Sequence, residues 1–214
     1  MRLHGYWRSS AAYRVRIALN LKGLTVEHVP VHLRDNAQTS PHYLARNPQG
    51  LVPLLETDDG AALTQSLAII EWLDETRPEP PLLPADPLGR ARVRSLALSV
   101  AADVHPLGNL RVLRDLRARF GADQAAVDAW YRHWYGWGST ALETRLAREP
   151  ETGRFCQGDA PGLADLCLVP HLYNCRRIGL DLGLCPTLSR IDAACLALPA
   201  FADAAPERQP DAEG

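Results

Sequence analysis

The chain has 214 residues, 46% of them hydrophobic and 22% charged, with a formal net charge of -2 at pH 7. That is enough apolar material for one large domain or two small ones, and the near-neutral balance excludes a general nucleic-acid binder. Five cysteines, an odd number without CxxC or His/Cys metal spacing, argue against a disulfide framework and a zinc site. There is no signal-peptide pattern and no apolar run of membrane-spanning length, so a reducing, cytoplasmic setting is expected, with no membrane or nucleic-acid partner and no metal.

In chain order, Leu3 to Tyr6 predicts a short strand. Ser9 or Ser10 caps a helix that runs to Lys22 and stops at Gly23. Thr25 to Leu33 alternates, and Pro30 puts that strand at a sheet edge. A polar segment and a short helix lead to Asn47-Pro48. Leu51 to Glu56 and Ala61 to Thr64 flank Asp58-Asp59-Gly60 as a hairpin, and Ser66 to Thr76 has helical apolar spacing. The order β-α-β-α-β-β-α over residues 1–77 predicts an α/β domain closed by a hairpin.

A proline-rich stretch, residues 78–87, reads as a linker. Residues 88–214 then read as all-helical. Leu88 to Phe120 is one helix broken near His105-Pro106 or two helices; Ala122 to Glu149, Gly162 to Arg177 (bent at Pro170) and Leu188 to Leu196 follow. Trp130, Trp134 and Trp137 look like helix packing, and the final PERQPDAEG looks frayed.

The chemistry concentrates in WRSSAAYRVRIAL. A helix start carries free N–H groups and the positive end of the dipole, so Arg8 beside it adds charge that favours an anion. A hydroxyl of Ser9 or Ser10 there can donate to a thiolate and lower its pKa. In NPQGLVP, a cis Val52-Pro53 bond would leave backbone groups free to clasp an extended peptide. Gln65 and Ser66 stand at another helix start, a second place for a carboxylate. Together these features describe a small peptide-like thiol with carboxylates. Arg14 and Arg16, inside the first helix, read as solvated or interface charges.

SSAAYRVRIALNLKG resembles the SSCxWRVRIALxxKG signature of the zeta-class glutathione transferases, and NPQGLVPLL, TQSLAIIEWLDETRPEPPLLPADP, GLADLCLVPHL and RQPD continue the likeness over nearly the whole chain. The resemblance implies a thioredoxin-like domain followed by an all-α domain, a homodimer, and glutathione as cofactor. It implies a glutathione-dependent cis–trans isomerase of aromatic catabolism that turns maleylacetoacetate into its fumaryl isomer. Maleylpyruvate isomerase, a general haloacid-directed transferase and a non-catalytic glutathione-binding module are the alternatives. It places the thiolate-stabilising serine at Ser9, with Ser10 beside it, and glutathione contacts at Gln49, Val52, Pro53, Gln65 and Ser66.

A maleyl diketo acid is a dianion, so its carboxylates call for planar, bidentate partners. Arg8, beside the sulfur position, is the first candidate, and Arg177, rather than its neighbour Arg176, is the second by resemblance. His105 and Asn109, four apart, are expected to share a helix face that hydrogen-bonds ligand. Arg111 is where the likeness to maleylpyruvate isomerases is stronger. The motif cysteine is Ala11 here, and the helix-capping Ser/Thr of the family is Gly162, which weakens a capping box with Asp165.

Overall fold

A computed structural model describes residues 1–213. The chain divides into two compact units, one of Met1–Pro81 together with the chain from Ala197 onward, the other Leu82–Leu196.

The first unit is built on a four-stranded sheet in the order β2-β1-β3-β4, from β1 (Arg2–Gly5), β2 (Glu27–Pro30), β3 (Leu54–Glu56) and β4 (Ala62–Thr64). β1 pairs in parallel with β2, Leu3 opposite His28, and antiparallel with β3, Leu3 opposite Leu55. β3 and β4 form the hairpin around Gly60, whose φ of 88° fits the turn. β2 is shorter than its alternation suggested and ends at Pro30, at an edge where a missing N–H removes no ladder bond. Helix α1 (Ser10–Leu21) packs on α3 (Ser66–Thr76), while α2 (Pro41–Leu44) is a single turn. Val15, Ile17, Leu54, Leu55, Ile69 and Leu73 are fully buried and form the centre of this unit.

Two expectations are corrected here. As far as Glu213 the C-terminal segment is not frayed, and it belongs to the first unit rather than to the helical one; Gly214, the last residue of the stretch expected to fray, lies outside the described residues. The segment forms α9 (Pro199–Ala202) and a 3-10 turn (Pro206–Arg208), and it is tied down by named bonds. The Tyr13 hydroxyl donates to Phe201 O at 3.3 Å, Arg16 Nε donates to Ala204 O at 3.0 Å, and the Trp7 N–H donates to Asp211 Oδ2 at 3.0 Å. Nor are Arg14 and Arg16 solvated: they are 2% and 5% exposed. Arg16 can be buried because backbone carbonyls satisfy it, Trp7 O at 2.9 Å as well as Ala204 O.

The second unit is helical: α4 (Pro87–Leu98), a π-helical stretch (Ser99–Val104), a 3-10 turn (His105–Gly108), α5 (Leu110–Phe120), α6 (Gln124–Arg148), α7 (Leu163–Arg177) and α8 (Pro186–Leu196). Asp86 caps α4 by accepting the Gly89 N–H at 2.7 Å. Leu166, Val169, Leu172, Leu188 and Ile191 are completely buried. Asp165 is buried with them; its carboxylate accepts the Cys156 and Gly162 N–H groups, each at 2.9 Å, and burial raises its pKa against those bonds. Of the three tryptophans, Trp130 donates to Leu107 O at 2.9 Å, but Trp137 is 61% exposed and is no core residue. No helix among the described residues is long and apolar enough to cross a membrane.

Candidate functional site

The first element of the site is the start of α1. Ser9 is the N-cap, with an extended backbone (φ -70°, ψ 117°), and its Oγ accepts the Ala12 N–H at 3.2 Å. A hydroxyl that accepts from the helix keeps its proton for a donor bond directed elsewhere. Ser10 follows as the first helical residue and is buried, 7% exposed. No acidic residue sits in the first turn, so the positive end of α1 is not neutralised from within. Arg8 lies half-buried with its guanidinium 5.4 Å from the centre of the Trp7 ring, a cation–π contact that orients it.

The second element is the loop before β3. Val52-Pro53 is cis. Among the described residues no hydrogen bond engages the Val52 N–H or C=O, which leaves both available to an extended peptide. The loop is held from behind: Tyr43 Oη and Asn47 Nδ2 both donate to Leu51 O, at 2.6 and 2.7 Å. Burial pushes the Tyr43 phenol up to about 12 despite its bond to Asn47, so it stays a donor. Gln65 Nε2 donates to Gln49 Oε1 at 2.8 Å, which brings together two residues singled out in the sequence.

The third element is the start of α3. Gln65 precedes it at φ 68°, ψ 117°, a left-handed φ uncommon for a side-chain-bearing residue, and it makes no side-chain cap bond. The helix ladder begins with the Ile69 N–H to Gln65 O, so the N–H groups of Ser66, Leu67 and Ala68 have no acceptor within the helix. Ser66 is buried, and its Oγ accepts Arg14 Nη1 at 3.3 Å. Arg14 Nε and Nη2 are buried without a partner. The sequence reads Arg14 as a solvated or interface charge and gives it no place in the site. The signal was its position four residues after Ser10, which puts both on the buried face of α1.

In the helical unit, His105 and Asn109 do not share a helix face as expected. His105 opens the 3-10 turn, whereas Asn109 is extended (ψ 141°) and caps α5, its side chain accepting the Arg111 N–H at 3.2 Å. The 3-10 turn, with Pro106 near its start, and the extended Asn109 interrupt the helix. Arg111 is exposed in the first turn of α5. Arg176 is committed to Asp192 Oδ2 at 2.6 Å, while no carboxylate among the described residues pairs with Arg177. Arg177 Nε and Nη2 donate to Asn174 Oδ1 and Tyr131 Oη, each at 3.3 Å, and its guanidinium lies 5.7 Å from the centre of the Tyr131 ring. All five cysteines are buried and none forms a disulfide; burial pushes Cys175 up to about 12, with Ser139 and Arg176 opposing. No group of side chains suited to a metal occurs among the described residues.

Residues 3–81 match the family model of the glutathione S-transferase N-terminal domain. The maleylacetoacetate isomerase of Rhizobium meliloti (strain 1021) is 53% identical over 206 residues, covering 96% of each chain. A maleyl pyruvate isomerase described as a bacterial zeta-class glutathione S-transferase superposes with a TM-score of 0.97 at 48% identity over 100% of both chains. A maleylacetoacetate isomerase from Methylobacterium extorquens AM1, solved with bound malonate and glutathione, gives a TM-score of 0.98 at 48% identity, again over 100% of both. With its thioredoxin-like first unit and all-α second unit, the chain belongs to the zeta-class glutathione transferase family, the family of the maleylacetoacetate and maleylpyruvate isomerases.

Proposed function

We propose that this protein is a glutathione-dependent cis–trans isomerase that converts maleylacetoacetate to its fumaryl isomer. The observation that carries the reading is the start of α1: a serine whose hydroxyl accepts from the helix, with Arg8 beside it and no acidic residue in the first turn. The uncapped start of α3 and the unengaged Val52 backbone fit a small peptide with carboxylates. The relative from Methylobacterium extorquens AM1 carries glutathione and a dicarboxylate together.

Glutathione, when bound, supplies a thiolate that adds reversibly to the cis double bond and so makes it a rotatable single bond. The protein's own residues do the rest. Ser9 donates a hydrogen bond from its hydroxyl to the sulfur and so keeps the thiolate ionised, with Ser10 beside it. Gln49, Val52, Pro53, Gln65 and Ser66 hold the peptide, with His105 and Asn109 as further hydrogen-bonding residues. Arg8 and Arg177 take the substrate's carboxylates, and they stabilise negative charge as it builds on the substrate more than they stabilise the resting dianion. Arg111 is the one feature that favours maleylpyruvate as the preferred substrate. The working form is a cytoplasmic homodimer, which sedimentation of the purified protein and fractionation of its source cells will check.

The reaction is followed by proton NMR, in which the alkene coupling of the substrate changes from its cis to its trans value only when glutathione is present. The ratio of kcat/KM for maleylacetoacetate and maleylpyruvate then assigns the substrate. Conjugation of haloacids without isomerisation would make the protein a general transferase. Glutathione binding with neither reaction would make it a binding module.

A further inference from the structure

α1 contains two buried arginines two residues apart, and the protein treats them differently. Arg16 is satisfied by the carbonyls of Trp7 and Ala204. Arg14 is 2% exposed, yet among the described residues only its Nη1 has a partner, the Ser66 oxygen at 3.3 Å; Nε and Nη2 have none there. Burying a guanidinium without a counter-ion is costly, and no carboxylate among the described residues pairs with Arg14. The residue it does reach opens α3, where three backbone N–H groups lack helix acceptors and no side chain caps them. All the unused donors in this corner call for one anion.

We propose that Arg14 is a positioning residue of the glutathione site, acting through Ser66 on the γ-glutamyl α-carboxylate at the start of α3. A serine hydroxyl has one proton, and a guanidinium can only donate. The bond from Arg14 therefore fixes Ser66 Oγ as its acceptor and releases the single hydroxyl proton for the ligand's carboxylate. The charge of Arg14 adds to the positive end of α3 from beneath, shielded from solvent. This inference rests on the glutathione reading above.

The test is calorimetric titration of the full-length protein with two ligands: glutathione, and 4-aminobutyryl-cysteinyl-glycine, which lacks only the γ-glutamyl α-carboxylate. Arg14→Met should weaken glutathione binding by roughly tenfold, the loss of one charge-assisted bond, and leave the analogue's affinity unchanged. Ser66→Ala should add little in the Arg14→Met background, because the two residues act as one unit. Arg14→Lys, which keeps a charge and a donor, should recover part of the loss on glutathione alone, and it carries the same comparison should the methionine variant fail to fold. Equal losses on both ligands would mean that Arg14 is structural and would overturn the proposal, as would no loss on either. Wild-type protein that binds neither ligand would overturn the glutathione reading itself.

Discussion

Two serines open two helices of the first unit, and they are used in opposite ways. Ser9 closes α1 by accepting the Ala12 N–H, while Ser66 leaves α3 open and accepts instead from a buried arginine. A closed start holds one hydroxyl in one orientation, which suits a group that must meet a sulfur atom. An open start keeps several N–H donors for a ligand. On the proposed function the chemistry belongs to α1 and the binding to α3, and kinetic and thermodynamic measurements can separate the two.

The largest effect is expected at α1. Ser9→Ala should raise the pKa of the bound thiol, because a hydrogen bond to the charged form is lost, and should lower turnover roughly tenfold to a hundredfold. Ultraviolet absorbance of the thiolate across pH reads the shift directly, and Ser10→Ala should do less. A larger effect at Ser10 would move the role to that residue. Loss of the cap should also cost about 1 kcal/mol of stability, measured by denaturant titration.

Arg8→Met and Arg177→Met approach the same chemistry from the substrate side. Each should reduce turnover of the dianionic substrate by roughly tenfold or more, the loss of one charge-assisted pair. Glutathione affinity should change far less. Slow conjugation of a neutral chlorinated aromatic should survive both substitutions, since that electrophile has no carboxylate to lose. Equal losses on charged and neutral substrates would make the arginines structural.

A smaller and opposite signature is expected at α3. Gln65→Ala should weaken glutathione binding several-fold but leave kcat near its original value at saturating cofactor. Gln65→Gly sharpens the contrast, because glycine adopts φ 68° without strain. It should raise the unfolding midpoint, by about 1 kcal/mol of relieved backbone strain, while weakening binding as the alanine variant does. A glycine variant that is less stable than the parent would mean that the side chain's bond to Gln49 outweighs the strain.

The sequence made the outline of both starts legible because local chemistry sets it. Serine before the apolar run of α1, glycine after it, the Asp-Gly hairpin and the prolines after Thr76 all act over a few residues. Long-range partners stayed out of reach. Arg14 and Arg16 read as surface charges because nothing near them in the chain reveals Ser66, 52 residues away, or Ala204, 188 residues away. The C-terminal segment read as frayed for the same reason: its composition is polar, and its order comes from Trp7, Tyr13 and Arg16 on the first unit. His105 and Asn109 were misjudged more locally, by carrying helical periodicity through Pro106 and Gly108.

The smallest predicted effect concerns a third helix start, that of α7, where neither device is used. Gly162 offers no side chain, and Asp165 reaches back to accept its N–H. From sequence, Gly162→Ser restores a capping box and should stabilise by about 1 kcal/mol. The packing argues otherwise. A Cβ at position 162 would lie 2.8 Å from the Leu82 carbonyl oxygen, which itself accepts the Leu163 N–H at 2.9 Å. Gly162 has φ -142°, open to any residue, so the obstacle is contact rather than conformation. The cap gained and the carbonyl displaced should nearly cancel, leaving a net loss below about 1 kcal/mol and a midpoint lowered by about 2 °C. Gly162→Ala suffers the contact without the cap and should fall further. Thermal unfolding of the three proteins orders them, with glycine above serine and serine above alanine. A serine variant more stable than the parent would show that Leu82 can retreat, and that a cap rather than close approach governs this helix start.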